Sequence, residues 1–170
     1  PFVPLFEGLD TVEKKFSFMT LDDTFALEQA INKDSKVLIV GAGLIGLKCA
    51  EGLHGRVASI TVCDLADRVL SRILDTDCAA IVQKHLEANG IQFMLGDTAV
   101  GSEKNSSKMK SGISAEFDIL VLAVGVRVDT ALLKNIGGEV NRDIIVDEQM
   151  ETSVEDIYAA GDCTEDNDIS

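Results

Sequence analysis

The sequence predicts an α/β domain built in three layers on a mainly parallel sheet, with a small antiparallel hairpin or meander attached. Three observations carry this expectation. Short apolar, β-branched runs alternate with amphipathic segments between residues 37 and 95, and such alternation forces parallel strands with crossover helices. The run 117–124, Phe-Asp-Ile-Leu-Val-Leu-Ala-Val, is nearly all apolar, as a central strand covered on both faces is. Between these regions, Gly101 to Ser114 turns to Ser, Lys, Gly and Asn, the composition of a polar hairpin or loop with no core signature.

In chain order, residues 1–20 hold both prolines, Pro1 and Pro4, with Gly8 and no clear period, and are expected to form an extended connector. Leu21 to Ile31 follows as an amphipathic helix. Thr20 is its N-cap with Asp23 three residues on, and Leu21, Phe25, Leu27, Ala30 and Ile31 supply its buried side. Strands are expected at 37–40, 59–63 and 91–95, and helices at 44–54 and 75–89. Leu132 to Ile136 predicts a short helix stopped by Gly137-Gly138. Val140 and Ile144 to Val146 flank Asn141-Arg142-Asp143 as a hairpin, and Ile157 to Ala160 is the last expected strand.

The most informative stretch is 36–46, Lys-Val-Leu-Ile-Val-Gly-Ala-Gly-Leu-Ile-Gly. A strand that breaks into Gly41, Gly43 and Gly46 before a helix meets the needs of a dinucleotide. The first glycine allows the tight turn, the second lets backbone approach a pyrophosphate, and the third lets helix pack closely on strand. The helix N-terminus then faces the phosphates with free N–H groups. This makes the expected fold Rossmann-like. Asp64, at the end of the 59–63 strand and eighteen residues past Gly46, has the spacing of an acid that accepts hydrogen bonds from both adenosine ribose hydroxyls. It would repel a 2′-phosphate, which favours NAD over NADP. Capping of the Asp64-Leu65-Ala66-Asp67 turn is the plainer alternative for the same residue.

A formal net charge of −14, from 29 acids and 15 bases, repels phosphate backbones and anionic membranes, so neither nucleic acid nor membrane is an expected partner. No apolar stretch approaches the ~20 residues of a membrane span. The chain starts at Pro1 and shows no basic segment followed by an apolar one, so no signal peptide is read and a fragment of something longer is expected. Cys49, Cys63, Cys78 and Cys163 lack Cys-x-x-Cys spacing and make no zinc pattern with His54 or His85. Free thiols in a reducing cytoplasm are the simplest reading. Cys49 and Cys63 read as small core residues. Cys163 follows Gly161-Asp162 at an expected helix start, where either burial or a favoured thiolate accounts for it.

Taken together these motifs resemble the pyridine-nucleotide domain of the FAD-dependent pyridine nucleotide-disulfide oxidoreductase family, in the branch of NADH oxidases, coenzyme A-disulfide reductases, rubredoxin reductases and nitrite reductases. Pro1 to Pro4 with Glu7 to Asp10 resembles the link leaving a first FAD segment, and Val37 to Gly46 the NAD-binding glycine motif. Val62-Cys63-Asp64 with Asp67-Arg68 resembles the family's second-strand end, and Ala123-Val124-Gly125 the turn beside the nicotinamide site. Thr152-Ser153 with Ile157 to Asp162 resembles the block that returns the chain to the flavin.

The resemblance implies that Gly41, Gly43, Leu44, Ile45, Gly46, Asp64, Leu65, Arg68, Ala123, Val124 and Gly125 contact NAD(H). It implies that Gly161 and Asp162 contact FAD in the full-length protein, Asp162 at the ribityl or pyrophosphate portion. The division it implies is a connector over 1–20, an NAD(H)-binding domain over 21–155 and the start of a return to the FAD domain over 156–170. FAD-binding and interface domains of the same polypeptide, a homodimer, and a small-molecule or redox-protein electron acceptor belong to the same expectation. A complete cycle needs the flavin, which those other segments grip, so the fragment alone is expected to bind nucleotide without turning over.

Four residues, at three places, depart from the family pattern. Lys48 stands where glutamate is usual; either Glu51 compensates it or it has a partner in the flavin cleft. Val124 replaces a threonine, and Val128-Asp129 replaces Pro-Asn after Arg127. These departures keep open a non-catalytic nucleotide-binding or assembly module with the same fold. Binding of another adenosine ligand, such as S-adenosylmethionine, is disfavoured by the flavin-return block.

Overall fold

The computed structural model describes residues 7–166. They fall into two compact units that divide between Gly125 and Val126, whereas the sequence carried one domain on to 155.

In the first unit a 3-10 turn, Leu9–Thr11, leads to β1 (Lys15–Ser17), α1 (Leu21–Ala30), β2 (Lys36–Val40), α2 (Leu44–Leu53), β3 (Ser59–Asp64), α3 (Thr76–Ala88) and β4 (Ile91–Leu95). Three more strands follow, β5 (Ala99–Glu103), β6 (Ser106–Met109) and β7 (Ser114–Glu116), before β8 (Ile119–Leu122). The main sheet has the order β1-β8-β2-β3-β4 and every neighbouring pair is parallel. The other three strands form an antiparallel meander, β5-β6-β7.

Period-two alternation explains how one sheet holds three layers. Val37, Ile39, Ile60, Val62, Ile119 and Val121 point to one face, where they pack with Leu27, Leu47, Ala50, Leu53 and Ala79 of the helices. Leu38, Val40, Leu120 and Leu122 point to the other face and pack with Met109, Ala99, Phe117 and the turn residues Leu9 and Val12. Each such side chain contributes about 1.5–3 kcal/mol when fully buried. The continuous apolar reading of the central strands therefore holds because both faces are covered.

Several expectations are corrected. Residues 15–17, placed in a connector, are the edge strand β1, paired in register with Leu120–Leu122; a three-residue Lys-Phe-Ser strand shows no period for a sequence to reveal. The polar segment 101–114 forms the foreseen antiparallel hairpin, within the meander, but it has a core where none was expected. Its inner face is made by Ser102 and Ser107, whose hydroxyls bond each other at 3.0 Å, and by Met109. Small hydroxyls that satisfy one another serve there as core. The apolar run 117–124 is strand only at Ile119–Leu122. On α1, Leu27 is buried, but Leu21 and Phe25 are 66% and 50% exposed, because the helix lies on the sheet by the side that carries Leu27.

The second unit holds α4 (Ala131–Asn135), β9 (Ile144–Val146) and β10 (Thr164–Asp166). β9 and β10 pair in parallel, so Ile144 to Val146 serves mainly that ladder. The expected hairpin survives as a single antiparallel bridge, Val140 to Ile144. Ile157 to Ala160 is not a strand; only Tyr158 bridges, to Glu151, and the strand comes later at Thr164. No helix starts after Gly161 among the described residues. Of the described helices none is long and apolar enough to cross a membrane.

Thr20 forms the expected capping box with Asp23. The Met19 and Thr20 amides hold the Asp23 carboxyl below its ordinary value of 3.8. A depressed native value means the contribution is full above the unfolded value and is lost as pH falls through the native one. Asp23→Asn is therefore expected to cost about 0.5 kcal/mol at pH 7 and progressively less as pH falls below the ordinary carboxylate range in paired urea titrations.

Candidate functional site

The three glycines of the β2–α2 turn have three distinct surroundings. Gly41 has φ 116, and a Cβ there would fall on the backbone carbonyl of Ala123 at the end of β8. A Cβ on Gly46 would fall on the carbonyl oxygen of Gly41. Backbone thus meets backbone at both positions, and α2 is drawn onto the strand end. Gly43 differs. Its backbone is ordinary extended chain (φ −79, ψ −175), and a Cβ built on it meets nothing within 4 Å. Among the described residues no contact asks for glycine there, and the space beside it is open to a group that lies close to the backbone.

The front of α2 suits an anion. Gly43 caps the helix without a side-chain bond and its first turn holds no acid, so the first amides have no intrahelical partner and the positive helix end is unneutralised by its own side chains. Leu44 is exposed, Ile45 half-buried. Ala42, between the first two glycines, is 1% exposed. Its N–H donates to Asp64 Oδ2 at 2.6 Å and its carbonyl accepts from the Leu70 N–H at 2.9 Å.

Asp64 ends β3 half-buried, directed at the glycine turn, and its Oδ1 accepts the Ala66 N–H at 2.8 Å. The turn-capping alternative foreseen for Asp64 is present, and the same carboxylate also reaches the glycine turn through Ala42. Leu65 is exposed. Arg68 is engaged within its own loop, pairing with Asp67 at 3.0 Å and donating to the carbonyls of Ser71 and Leu74 at 3.4 and 3.5 Å. Ala123 is buried at the end of β8 with its N–H on Val40 O at 2.8 Å. Val124 is exposed, and Gly125, with φ 101, opens onto free space. The structure therefore brings together Gly41, Gly43, Gly46, Asp64 and Ala123. It turns Arg68 to other work.

Leu70 was not foreseen as part of this site. It holds φ 50, a conformation costly for leucine, and places its amide on Ala42. The side chain gives no sequence signal for a left-handed backbone, since Asn, Asp or Gly would be the usual cue.

Lys48 forms an ion pair with Glu51 at 2.6 Å on the exposed face of α2, the compensation foreseen for a cation near a helix start. Burial pushes the Cys49 and Cys63 thiols up to about 12, so both are core residues and not reagents. Cys78 is exposed and Cys163 half-buried, and all four thiols are free. In the second unit Gly161 has φ 92 and its carbonyl accepts the Thr164 N–H and hydroxyl at 3.1 and 2.8 Å. This turn leaves Asp162 exposed. Cys163 donates to Ala160 O at 3.4 Å, and with no helix beginning there the ground for a favoured thiolate is gone.

The family model for pyridine nucleotide-disulphide oxidoreductases matches residues 1–169. Among curated proteins the chain is 40% identical to the NADH oxidase of Methanocaldococcus jannaschii, over 97% of this chain and 38% of that protein. It is 37% identical to the rubredoxin-NAD(+) reductase of Acinetobacter baylyi, over 81% and 37%. The chain thus spans well under half the length of these relatives. Among solved structures, the water-forming NADH oxidase of Lactobacillus brevis bound to NADH superposes with a TM-score of 0.83 at 28% identity, over 96% of this chain and 37% of that one. An engineered NADPH-bound variant of that oxidase superposes at 0.82 with 27% identity, over 96% and 37%.

The unequal surroundings of two glycines give a paired test. Gly43→Val is expected to leave unfolding free energy within about 0.5 kcal/mol of wild type while weakening dinucleotide binding by roughly tenfold or more. Gly46→Ala is expected to cost at least about 2 kcal/mol, since a carbonyl must move. Urea unfolding and calorimetric titration of both variants check the pair.

Proposed function

The chain belongs to the pyridine nucleotide-disulphide oxidoreductase family, and on that premise we propose that it is the NAD(H)-binding domain of an FAD-dependent oxidoreductase. Members of the family are FAD- and NAD(H)-dependent oxidoreductases. The observation that carries the reading for this chain is Gly43: an unstrained glycine with open space where its Cβ would be, in front of a helix whose first amides are free.

In this reading the pyrophosphate lies against Gly43 and the amides of Leu44, Ile45 and Gly46, where backbone N–H groups and the helix dipole both favour an anion. That local arrangement also explains how a protein of net charge −14 holds a ligand that is itself negative. Asp64 takes the adenosine ribose and Leu65 flanks it, while Ala123, Val124 and Gly125 border the nicotinamide end. Gly161 and Asp162 serve FAD; the left-handed turn at Gly161 leaves the Asp162 carboxylate open to a ligand.

When bound, NADH would supply a hydride for FAD, whose electrons would go on to a disulfide, oxygen or a redox protein. What this chain contributes is binding and orientation. The remaining domains of a longer polypeptide supply most of the grip on FAD, so the domain by itself binds nucleotide without turning over. Lys48, paired with Glu51, needs no partner in the flavin cleft.

Titration of the domain with NADH and NADPH, followed by nicotinamide fluorescence, tests the reading. NADH is expected to bind roughly tenfold or more tightly than NADPH, because the Asp64 carboxylate meets a 2′-phosphate with like charge. Asp64→Ala is expected to weaken NADH by roughly tenfold and to narrow the gap. No NADH binding at millimolar concentration, or a preference for NADPH, contradicts it.

A further inference from the structure

We infer that Asp64 has a second task in the same site: it is a positioning residue for the phosphate-binding turn, acting through the Ala42 peptides and not only through the sugar. The inference rests on the dinucleotide reading above and extends it to the free protein. Ala42 is the hinge of the turn, the residue between Gly41 and Gly43, flanked on both sides by the most conformationally free residue type. Two glycines around it would let its peptide planes swing.

The structure removes that freedom from both sides. The Ala42 N–H is held by Asp64 Oδ2 at 2.6 Å, a charge-assisted bond of the short, strong kind. The Ala42 carbonyl is held at 2.9 Å by the N–H of Leu70, which keeps a left-handed φ of 50 to reach it. Both holds come from one loop, 64–70, and that loop is itself anchored. Asp64 Oδ1 takes the Ala66 N–H, the Ala66 and Asp64 carbonyls accept the Gly96 and Asp97 amides at 2.8 and 3.0 Å, and Val69 is fully buried in the core. Ala42 cannot turn without disturbing this anchored loop. With it fixed, Gly43 and the first amides of α2 are preset toward the open space where phosphates bind, so less ordering remains to be done on binding.

A ligand that keeps adenine and two phosphates but lacks the ribose hydroxyls separates the two tasks of Asp64. We would titrate wild-type and Asp64→Ala domains by calorimetry with NADH and with 2′,3′-dideoxyadenosine 5′-diphosphate. A positioning role predicts that Asp64→Ala weakens the dideoxy compound by roughly fivefold or more, the loss of about one oriented hydrogen bond. A carboxylate that touches only the sugar predicts no change, and one that acts only by repelling phosphate predicts tighter binding. Either of these overturns the inference, as does a wild-type domain that binds NADH but shows no dideoxy binding at millimolar concentration. Failure of wild type to bind NADH at all overturns the dinucleotide reading itself.

Amide hydrogen exchange of the wild-type domain gives a second readout that needs no variant. The Ala42 amide is expected to exchange at least roughly tenfold more slowly than a free-chain amide before any ligand is added. Exchange at the free-chain rate overturns the inference even if Asp64→Ala cannot be folded.

Discussion

The structure depends on a close backbone meeting at one point, where the carbonyl of Gly41 lies against Gly46 and the turn around Gly41 lies against Ala123. Side chains cannot make this contact, because a single Cβ at either glycine would occupy the space of a carbonyl group. From that meeting the rest follows. The start of α2 is pulled onto the ends of β2 and β8, its unpaired amides are set at the C-terminal edge of a parallel sheet, and a gap is left in front of Gly43. In open α/β sheets this edge is where ligands bind. Here two glycines serve the packing of the turn, and among the described residues nothing packs where a Cβ of the third would stand.

The same locality settles a conflict in the electrostatics. A chain with 29 acids and 15 bases is an unpromising receptor for a dinucleotide if only its overall field is considered. Over the few ångströms that separate a phosphate from the first turn of a helix, fixed N–H dipoles outweigh charges that are distant and screened by salt. The cations nearest in sequence are already engaged. Lys48 is paired with Glu51, and Arg68 is bound to Asp67 and to two carbonyls of its own loop. Backbone amides and one carboxylate are therefore what this edge presents, and in the proposed reading they suit NADH, whose adenosine ribose offers hydroxyls and no phosphate.

Legibility in the sequence followed physical rules that differ from element to element. The β2–α2–β3 unit was readable because its strands are buried on both faces and its glycines have fixed tasks, so burial, period and motif agree. β1 escaped because three residues are too few to show alternation. The meander was foreseen as a polar hairpin or meander, but its interior was not, because it is built from Ser102, Ser107 and Met109 and paired hydroxyls look like surface when only polarity is counted. On α1, helical spacing grouped Leu21 and Phe25 with Leu27, yet a ten-residue helix buries only the strip that touches the sheet. Within the site, Gly41, Gly46 and Asp64 fell where motif and spacing put them. Leu70 did not announce itself, since its part is played by a backbone amide in a conformation that leucine seldom takes. Arg68 was readable as a cation near the strand end, but not as one committed to the carbonyls of its own loop.

The central claim is that the gap before α2 receives the phosphates of an adenine dinucleotide. An NMR titration of the isotopically labelled domain with NADH, resolved amide by amide, tests it most directly. Saturable shifts are expected to concentrate at Gly43, Leu44, Ile45 and Gly46 and at Asp64 and Leu65 across the turn. Saturable shifts centred elsewhere, with these amides unmoved, would contradict it.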